Sequence, residues 1–146
     1  MKEKVHVFLT EFISWVSKQD SILGVSLVGS YARGAARPNS DVDLVILSDK
    51  PHKLINDDKW LTNFGKVISI RHEDYGLVQS RHILYEDGLN IEYGITTLQW
   101  TNTKPVDIET CRVVTDGMKI LYDPDNLFRH LQKAVDCLEE NRSSRN

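Results

Sequence analysis

The spacing of hydrophobic and polar positions changes several times along the chain, and each change predicts a different element. Near the start, apolar residues recur every three or four positions, which predicts an amphipathic helix over residues 3–19. Further helices are predicted at residues 31–33, at residues 53–64 and from Pro124 onward, with Asp123 as the N-cap. Short runs of branched apolar residues predict six strands, over residues 22–28, 41–47, 66–72, 78–85, 89–95 and 118–122. Strands interspersed with helices predict a mixed α/β or α+β fold, in which a β-sheet is covered by helices.

A turn signal predicts how two of these strands meet. Asp87-Gly88 separates two strand-like runs, and both positions of a tight two-residue turn need positive φ, which this dipeptide tolerates. The pair therefore predicts a β-hairpin over residues 78–95. No element is predicted for the stretch between residues 96 and 117.

Composition limits the classes of protein to which the chain can belong. Its 146 residues are 40% hydrophobic and 27% charged, which predicts one globular domain over residues 1–146. The net charge of −3 gives no basic surface for a nucleic acid backbone, and no apolar run approaches the ~20 residues that span a bilayer. The sequence therefore predicts neither a nucleic acid partner nor a membrane. The two cysteines lie far apart, which indicates reduced thiols in a cytoplasmic protein.

The segment from Gly29 to Asp43 carries the candidate chemistry. Gly29-Ser30 ends a predicted strand and begins a helix, where glycine permits close backbone approach and free amides suit a phosphate. Asp41 and Asp43 are two positions apart on the next strand, so both project from one face. Two neighbouring carboxylates repel each other unless a cation lies between them, and Mg²⁺ prefers such ligands together with substrate phosphates. These features together predict a site for a metal and a nucleotide.

These residues resemble the signature of the nucleotidyltransferase superfamily that includes DNA polymerase beta: a Gly-Ser turn followed by Asp-x-Asp on the next strand. The continuation Ala32-Arg33-Gly34 and the motif Ser40-Asp41-Val42-Asp43-Leu44 are similar to the small bacterial branch, which holds aminoglycoside adenylyltransferases and minimal nucleotidyltransferases. The resemblance implies that Gly29 and Ser30 hold the triphosphate and that Asp41 and Asp43 bind Mg²⁺. Arg33 and Ser40, from the same motifs, are further candidates for nucleotide binding, although a structural role is favoured for Arg33.

The resemblance also implies a third carboxylate on a later strand, and Glu92 is the best-placed candidate. Glu92 would then be a metal ligand or the general base that takes the acceptor's proton. The alternative is structural: with a two-residue turn at Asp87-Gly88, Arg81 lies diagonal to Glu92 and could form an ion pair with it. The histidines show no metal-ligand spacing, and positions on the surface or on strand faces are expected for all five: His6, His52, His72, His82 and His130.

The resemblance predicts an Mg²⁺-dependent enzyme that transfers a nucleoside monophosphate, AMP from ATP, to a hydroxyl of a small acceptor such as an aminoglycoside-like molecule. One alternative is a minimal nucleotidyltransferase of a two-component toxin–antitoxin pair that modifies a protein hydroxyl. Another is a nucleotide-binding module without turnover. Only one helix is predicted after Asp123, so a second copy of the chain or a separately encoded helical partner is expected to complete the acceptor site.

Overall fold

The computed structural model describes residues 3–144, and residues 1, 2, 145 and 146 of the predicted domain lie outside the described part. The strands are β1 Ile22–Val28, β2 Val42–Ser48, β3 Val67–Asp74, β4 Gln79–Tyr85, β5 Asn90–Thr96 and β6 Met118–Tyr122. The helices are α1 Glu3–Val16, α2 Gly29–Arg33, α3 His52–Ile55, α4 Ile108–Asp116 and α5 Leu127–Ser144. Two 3₁₀ segments cover Lys59–Phe64 and Leu98–Thr101.

The six strands form one mixed sheet in the order β3-β4-β5-β2-β1-β6. Strands β2 and β5 at its centre pair in parallel, and the other neighbouring strands pair antiparallel. Helices pack on the sheet, so the predicted fold class is confirmed. The parallel register sets Asp43 beside Glu92, which brings two of the predicted site residues together across adjacent strands.

Both faces of the sheet centre are buried, because side chains of β2 alternate between two apolar clusters. Leu44 and Ile46 pack with the apolar face of α1 and with the first 3₁₀ segment. Val45 and Leu47 pack with α4, α5 and Trp100 on the other face. A strand that is covered on both sides reads as a continuous apolar run, which is the pattern that residues 44–47 show.

The helices of the structure differ from the predicted ones in several places. Helix α1 ends at Val16 instead of residue 19, and the helix predicted over 53–64 is divided into α3 and a 3₁₀ segment. Helix α4 lies in the stretch for which no element was predicted. Helix α5 begins at Leu127, after Asn126 with φ 60°, and the Asp123 carboxylate accepts hydrogen bonds from the first-turn amides of residues 128 and 129.

The predicted hairpin is present, but its turn is one residue longer than predicted. The amide of Tyr85 donates to the carbonyl of Leu89 (2.9 Å), which leaves three residues in the connection, and of these only Gly88 has a positive φ (92°). Residue pairs along β4 and β5 therefore shift by one position. Because neighbouring residues of a strand point to opposite faces, this shift places His82 opposite Glu92 and turns Arg81 to the other face.

Two smaller observations complete the description of the fold. Cys111 and Cys137 are free thiols. Within residues 3–144, none of the helices has the length and apolar character needed to cross a membrane.

Candidate active site

The turn between β1 and α2 begins the candidate site. Gly29 has a φ of +73°, and a Cβ atom at this position would overlap the carboxylate of Asp43. Glycine is therefore required both by the backbone conformation and by the close approach of the next strand. No side chain caps the first turn of α2, so the amides after Val28 have no side-chain acceptor. Gly34, with φ 71°, ends the short helix as predicted.

Three carboxylates and one imidazole converge beside this turn. Asp41, Asp43, His82 and Glu92 each offer one ligand atom, and these atoms all lie within 4.8 Å of one another. Asp43 comes from β2 and Glu92 from the parallel strand β5, whereas His82 comes from β4 on the far side of β5. The three predicted carboxylates are thus brought together by strand register, although they are up to 51 positions apart in the sequence.

The electrostatics of the cluster favour a bound cation. Burial, a hydrogen bond with Glu92 and the negative charges of Glu92 and Asp41 raise the pKa of Asp43 to about 8, with Arg33 opposing the shift. Burial also acts to raise the pKa of Glu92, but hydrogen bonds with Asp43 and Ser80 and the nearby His82 lower it below its ordinary value. Asp43 therefore holds a proton when no divalent cation balances the negative charge of the carboxylates. Three carboxylates form an oxygen donor set of the kind that Mg²⁺ prefers, so the residues fit that ion.

Glu92 is fixed from both sides by β4. The hydroxyl of Ser80 donates to Oε1 of Glu92 (2.6 Å), and Nε2 of His82 lies 3.2 Å from Oε2. The same His82 nitrogen lies 3.5 Å from Oδ2 of Asp41. Sequence reasoning missed both residues. Ser80 and His82 alternate along β4, across the hairpin from Glu92, and this pattern could have identified them. It does so only if the turn has three residues.

The alternative that Arg81 pairs with Glu92 is wrong. Arg81 lies on the opposite face, where its guanidinium donates to the carbonyls of Leu54 (3.2 Å) and Asp57 (3.3 Å) and pairs with Asp58. His82 lies on a strand face, as expected, and the structure places this face within the carboxylate cluster.

Ser30 lies in the first turn of α2. Two further predicted site residues, Arg33 and Ser40, lie outside the carboxylate cluster. Nη1 of Arg33 lies 3.7 Å from Asp116 of α4, an ion pair that connects α2 to α4. The hydroxyl of Ser40 accepts a hydrogen bond from the amide of Arg37 (2.7 Å) and so closes a turn before β2. Both residues have structural partners. Arg33 also lies near enough to Asp43 to lower its pKa, which keeps it within electrostatic range of the site.

A cavity of about 680 Å³ opens beside the carboxylates. Gly29, Asp43 and Glu92 form one side of it, and Tyr75 contributes an aromatic side chain. Most of the other lining residues are apolar: Val28, Leu44, Val45, Leu77, Val78, Trp100 and Val113. Its volume falls within the range of about 300–1,000 Å³ that is typical of ligand sites. The carboxylate cluster thus faces a space large enough for a substrate.

Comparisons with known proteins agree with this geometry. The model of the family described as nucleotidyltransferase domain matches residues 9–112. A putative protein adenylyltransferase of Methanocaldococcus jannaschii is 28% identical over 139 residues, which cover 92% of this chain and 84% of the relative.

Two solved structures align with this chain to different degrees. An aminoglycoside 6-adenyltransferase from Bacillus subtilis aligns with a TM-score of 0.52 and 19% identity over 68% of this chain. The aligned part is 36% of that enzyme, so this chain spans about a third of its length. A toxin–antitoxin structure with AMP-PNP aligns with a TM-score of 0.46 and 15% identity, over 94% of this chain and 91% of the other.

Proposed function

The chain belongs to the nucleotidyltransferase domain family, and on this premise we propose that it transfers AMP from ATP to a hydroxyl group, with Mg²⁺ held by Asp41, Asp43 and Glu92. The observation that carries the proposal is the convergence of these carboxylates, within 4.8 Å of one another, beside the glycine turn of α2. A protein that only binds nucleotides has little need of such a cluster, because repelling carboxylates destabilise a fold unless a cation balances them.

The nucleotide is proposed to place its phosphates at the turn between β1 and α2. Gly29 leaves room for close approach, and Ser30 adds a hydroxyl to the uncapped amides of the helix start. Arg33 would supply a positive charge near these phosphates, and Ser40 would shape the turn before β2. When bound, Mg²⁺ would neutralise charge on the triphosphate and on the leaving pyrophosphate.

Glu92 is proposed to take the proton of the acceptor hydroxyl. In the transfer, the acceptor oxygen forms a bond to the α-phosphorus, the bond from that phosphorus to the pyrophosphate oxygen breaks, and the hydroxyl proton passes to the Glu92 carboxylate. The position of Glu92 supports this role, because its carboxylate lines the cavity. Ser80 fixes its orientation through the hydrogen bond to Oε1.

The acceptor is proposed to enter the cavity beside Glu92. A small hydroxylated molecule, such as an aminoglycoside-like compound, fits its volume of about 680 Å³. A protein hydroxyl is the second candidate, and the observation that favours it is the similarity to a putative protein adenylyltransferase over 92% of this chain. A second copy or a helical partner chain as part of the acceptor site stays a prediction.

Labelled ATP tests the reaction and the acceptor class together. The protein is incubated with Mg²⁺ and ATP labelled at the α-phosphate, with hydroxylated small molecules in one series and with protein acceptors, including the chain itself, in another. We expect label on an acceptor and release of pyrophosphate, and no transfer from ATP labelled at the γ-phosphate. Transfer of the γ-label, or no pyrophosphate release in either series, would contradict the proposal.

A further inference from the structure

We infer that His82 is a positioning residue that presents an N–H group to Glu92 and Asp41, and that Arg71 on β3 fixes the tautomer that makes this possible. The inference rests on the proposed function, because it concerns how the proton acceptor of that reaction is held. It also means that His82 is not a metal ligand in this arrangement, although its Nε2 atom lies within the carboxylate cluster.

The contact between Arg71 and His82 determines which ring nitrogen carries the proton. Nη2 of Arg71 lies 2.6 Å from Nδ1 of His82. A guanidinium group has only donors and stays protonated in proteins, so Nδ1 must be the acceptor. A neutral imidazole with a lone pair on Nδ1 carries its hydrogen on Nε2. The opposite tautomer would place two N–H groups against each other at 2.6 Å.

Arg71 is itself held in place by neighbouring groups. Its Nε donates to Oε1 of Glu73 (3.1 Å), and the hydroxyl of Tyr75 donates to the other oxygen of Glu73. Tyr75 in turn lines the cavity beside Glu92. A series of contacts thus connects the cavity to the carboxylates. It leads from Tyr75 through Glu73 to Arg71, and from Arg71 to His82.

The Nε2 atom of His82 lies beside two carboxylates. The nitrogen lies 3.2 Å from Glu92 and 3.5 Å from Asp41, and it has no aligned hydrogen bond among the described residues. Its attraction to both carboxylates is therefore electrostatic, and it complements the direct hydrogen bond from Ser80 to the other oxygen of Glu92. Partners of this kind orient the carboxylates that hold a metal, and their loss typically costs about 10–100-fold in metal affinity or activity.

Nuclear magnetic resonance tests the tautomer directly and without turnover. Long-range ¹H–¹⁵N spectra of the protein, with and without Mg²⁺, show which nitrogen of His82 carries hydrogen, and the His82→Gln variant assigns the signal. We expect a protonated Nε2 and a bare Nδ1 in both conditions. Arg71→Met should mix the tautomers, whereas the control Lys66→Met, which removes the exposed cation paired with Glu86 on the same hairpin, should not. A bare Nε2 in the parent protein, or an unchanged signal in Arg71→Met, would overturn the inference.

A kinetic comparison tests the positioning role. Glutamine keeps an N–H donor at a reach similar to that of Nε2, whereas leucine removes the donor. We expect His82→Leu to lower kcat about 10–100-fold with little change in the KM for ATP, and His82→Gln to recover most of the loss. Equal damage from the two substitutions would contradict a donor role. A parent protein without any transfer activity would instead contradict the proposed function, and the spectra would still decide the tautomer.

Discussion

Strand β4 places polar side chains on both faces of the sheet, and their surroundings differ between the two faces. On one face, Arg81 has a side chain that is only 7% exposed, and it donates to two backbone carbonyls and to the carboxylate of Asp58. On the other face, the neighbouring residues Ser80 and His82 point at the carboxylate cluster around Glu92. The two environments are one residue apart along a single strand.

The two faces differ in whether the protein itself supplies the opposite charge. Arg81 receives its anionic and carbonyl partners from the segment of residues 54–58, so this charge is balanced within the fold. Asp41, Asp43 and Glu92 are like charges, and Asp43 retains a proton because burial and the neighbouring Glu92 and Asp41 raise its pKa. A buried charge that the protein balances belongs to the fold and is costly to leave without its partner, whereas a cluster that it leaves unbalanced indicates a ligand from outside.

Removing the unbalanced charges should have the largest effect on function. The double variant Asp41→Asn, Asp43→Asn deletes two of the three carboxylates that would hold Mg²⁺ while preserving side-chain shape. Loss of metal stabilisation worth several kcal/mol corresponds to a fall in kcat of about 10³-fold. Pyrophosphate release measures it, and thermal unfolding should show a fold at least as stable as the parent because repulsion is relieved. Turnover within about tenfold of the parent would place the site elsewhere.

Glu92→Gln separates chemistry from binding within the cluster. Glutamine keeps the size of the side chain but cannot accept a proton, so kcat should fall about 10²-fold. The affinity for Mg²⁺-ATP should change far less, because two aspartates remain. Steady-state kinetics and calorimetric titration check the two effects. Glu86→Gln, at an exposed glutamate in the hairpin turn, is the matched control, and equal behaviour of the two variants would exclude a catalytic role for Glu92.

Arg81→Met tests the balanced face. It leaves the carbonyls of Leu54 and Asp57 without one of their donors, and the free energy of unfolding should fall by about 1–3 kcal/mol. The kcat of the folded protein should stay close to that of the parent, because Arg81 does not touch the cluster. Denaturant unfolding measures the loss, with Arg142→Met, at an exposed ion pair of α5, as a control. A large loss of kcat without a loss of stability would contradict the conclusion that Arg81 serves the fold and not the reaction.

A further expected effect is a dependence of stability on pH in the absence of metal. Because the folded pKa of Asp43 is raised to about 8 from 3.8, the folded state holds a proton that the unfolded state has released in this window. Stability should therefore fall as pH rises from about 5 to 8. The lowered pKa of Glu92 acts in the opposite direction, but only at more acidic pH.

Magnesium should remove this dependence by displacing the proton, so that its apparent affinity rises with pH over the same range. Melting temperatures measured across pH, with and without Mg²⁺, check both statements. The Asp43→Asn variant provides the control, and an equal slope in that variant would show that another group is responsible.

The sequence predicted the strands well because their apolar runs are bounded by clear turn residues. Strands β1 and β6 have the predicted bounds, and β2 begins one residue later than predicted. Helix α4 was missed because its β-branched residues, such as Thr110, Val113 and Val114, have low helix propensity. Its apolar residues also do not all face the core, since Ile108 is 75% exposed. Contacts with α5 and the sheet, which local patterns do not record, stabilise it.

The candidate site was predictable only as far as its motifs extend. Asp41 and Asp43 follow from their spacing, and Glu92 was found through the family resemblance. The neighbours of Glu92 depend on the length of the hairpin turn, where one residue decides whether Arg81 or His82 shares its face. Asp87-Gly88 indicates a turn but does not distinguish two residues from three, so Ser80 and His82 could not be selected.

Because β2 and β5 pair at the centre of the sheet and carry site residues, ligand binding should affect the amide hydrogens that exchange most slowly. Asp43 and Glu92 lie on central strands, whose amides exchange mainly when the whole domain opens. A ligand that binds only the folded state makes that opening rarer by a factor that grows with the ratio of ligand concentration to Kd. Binding of Mg²⁺-ATP should therefore slow exchange throughout β2 and β5, while the edge strand β3, which can open locally, should keep much of its own rate.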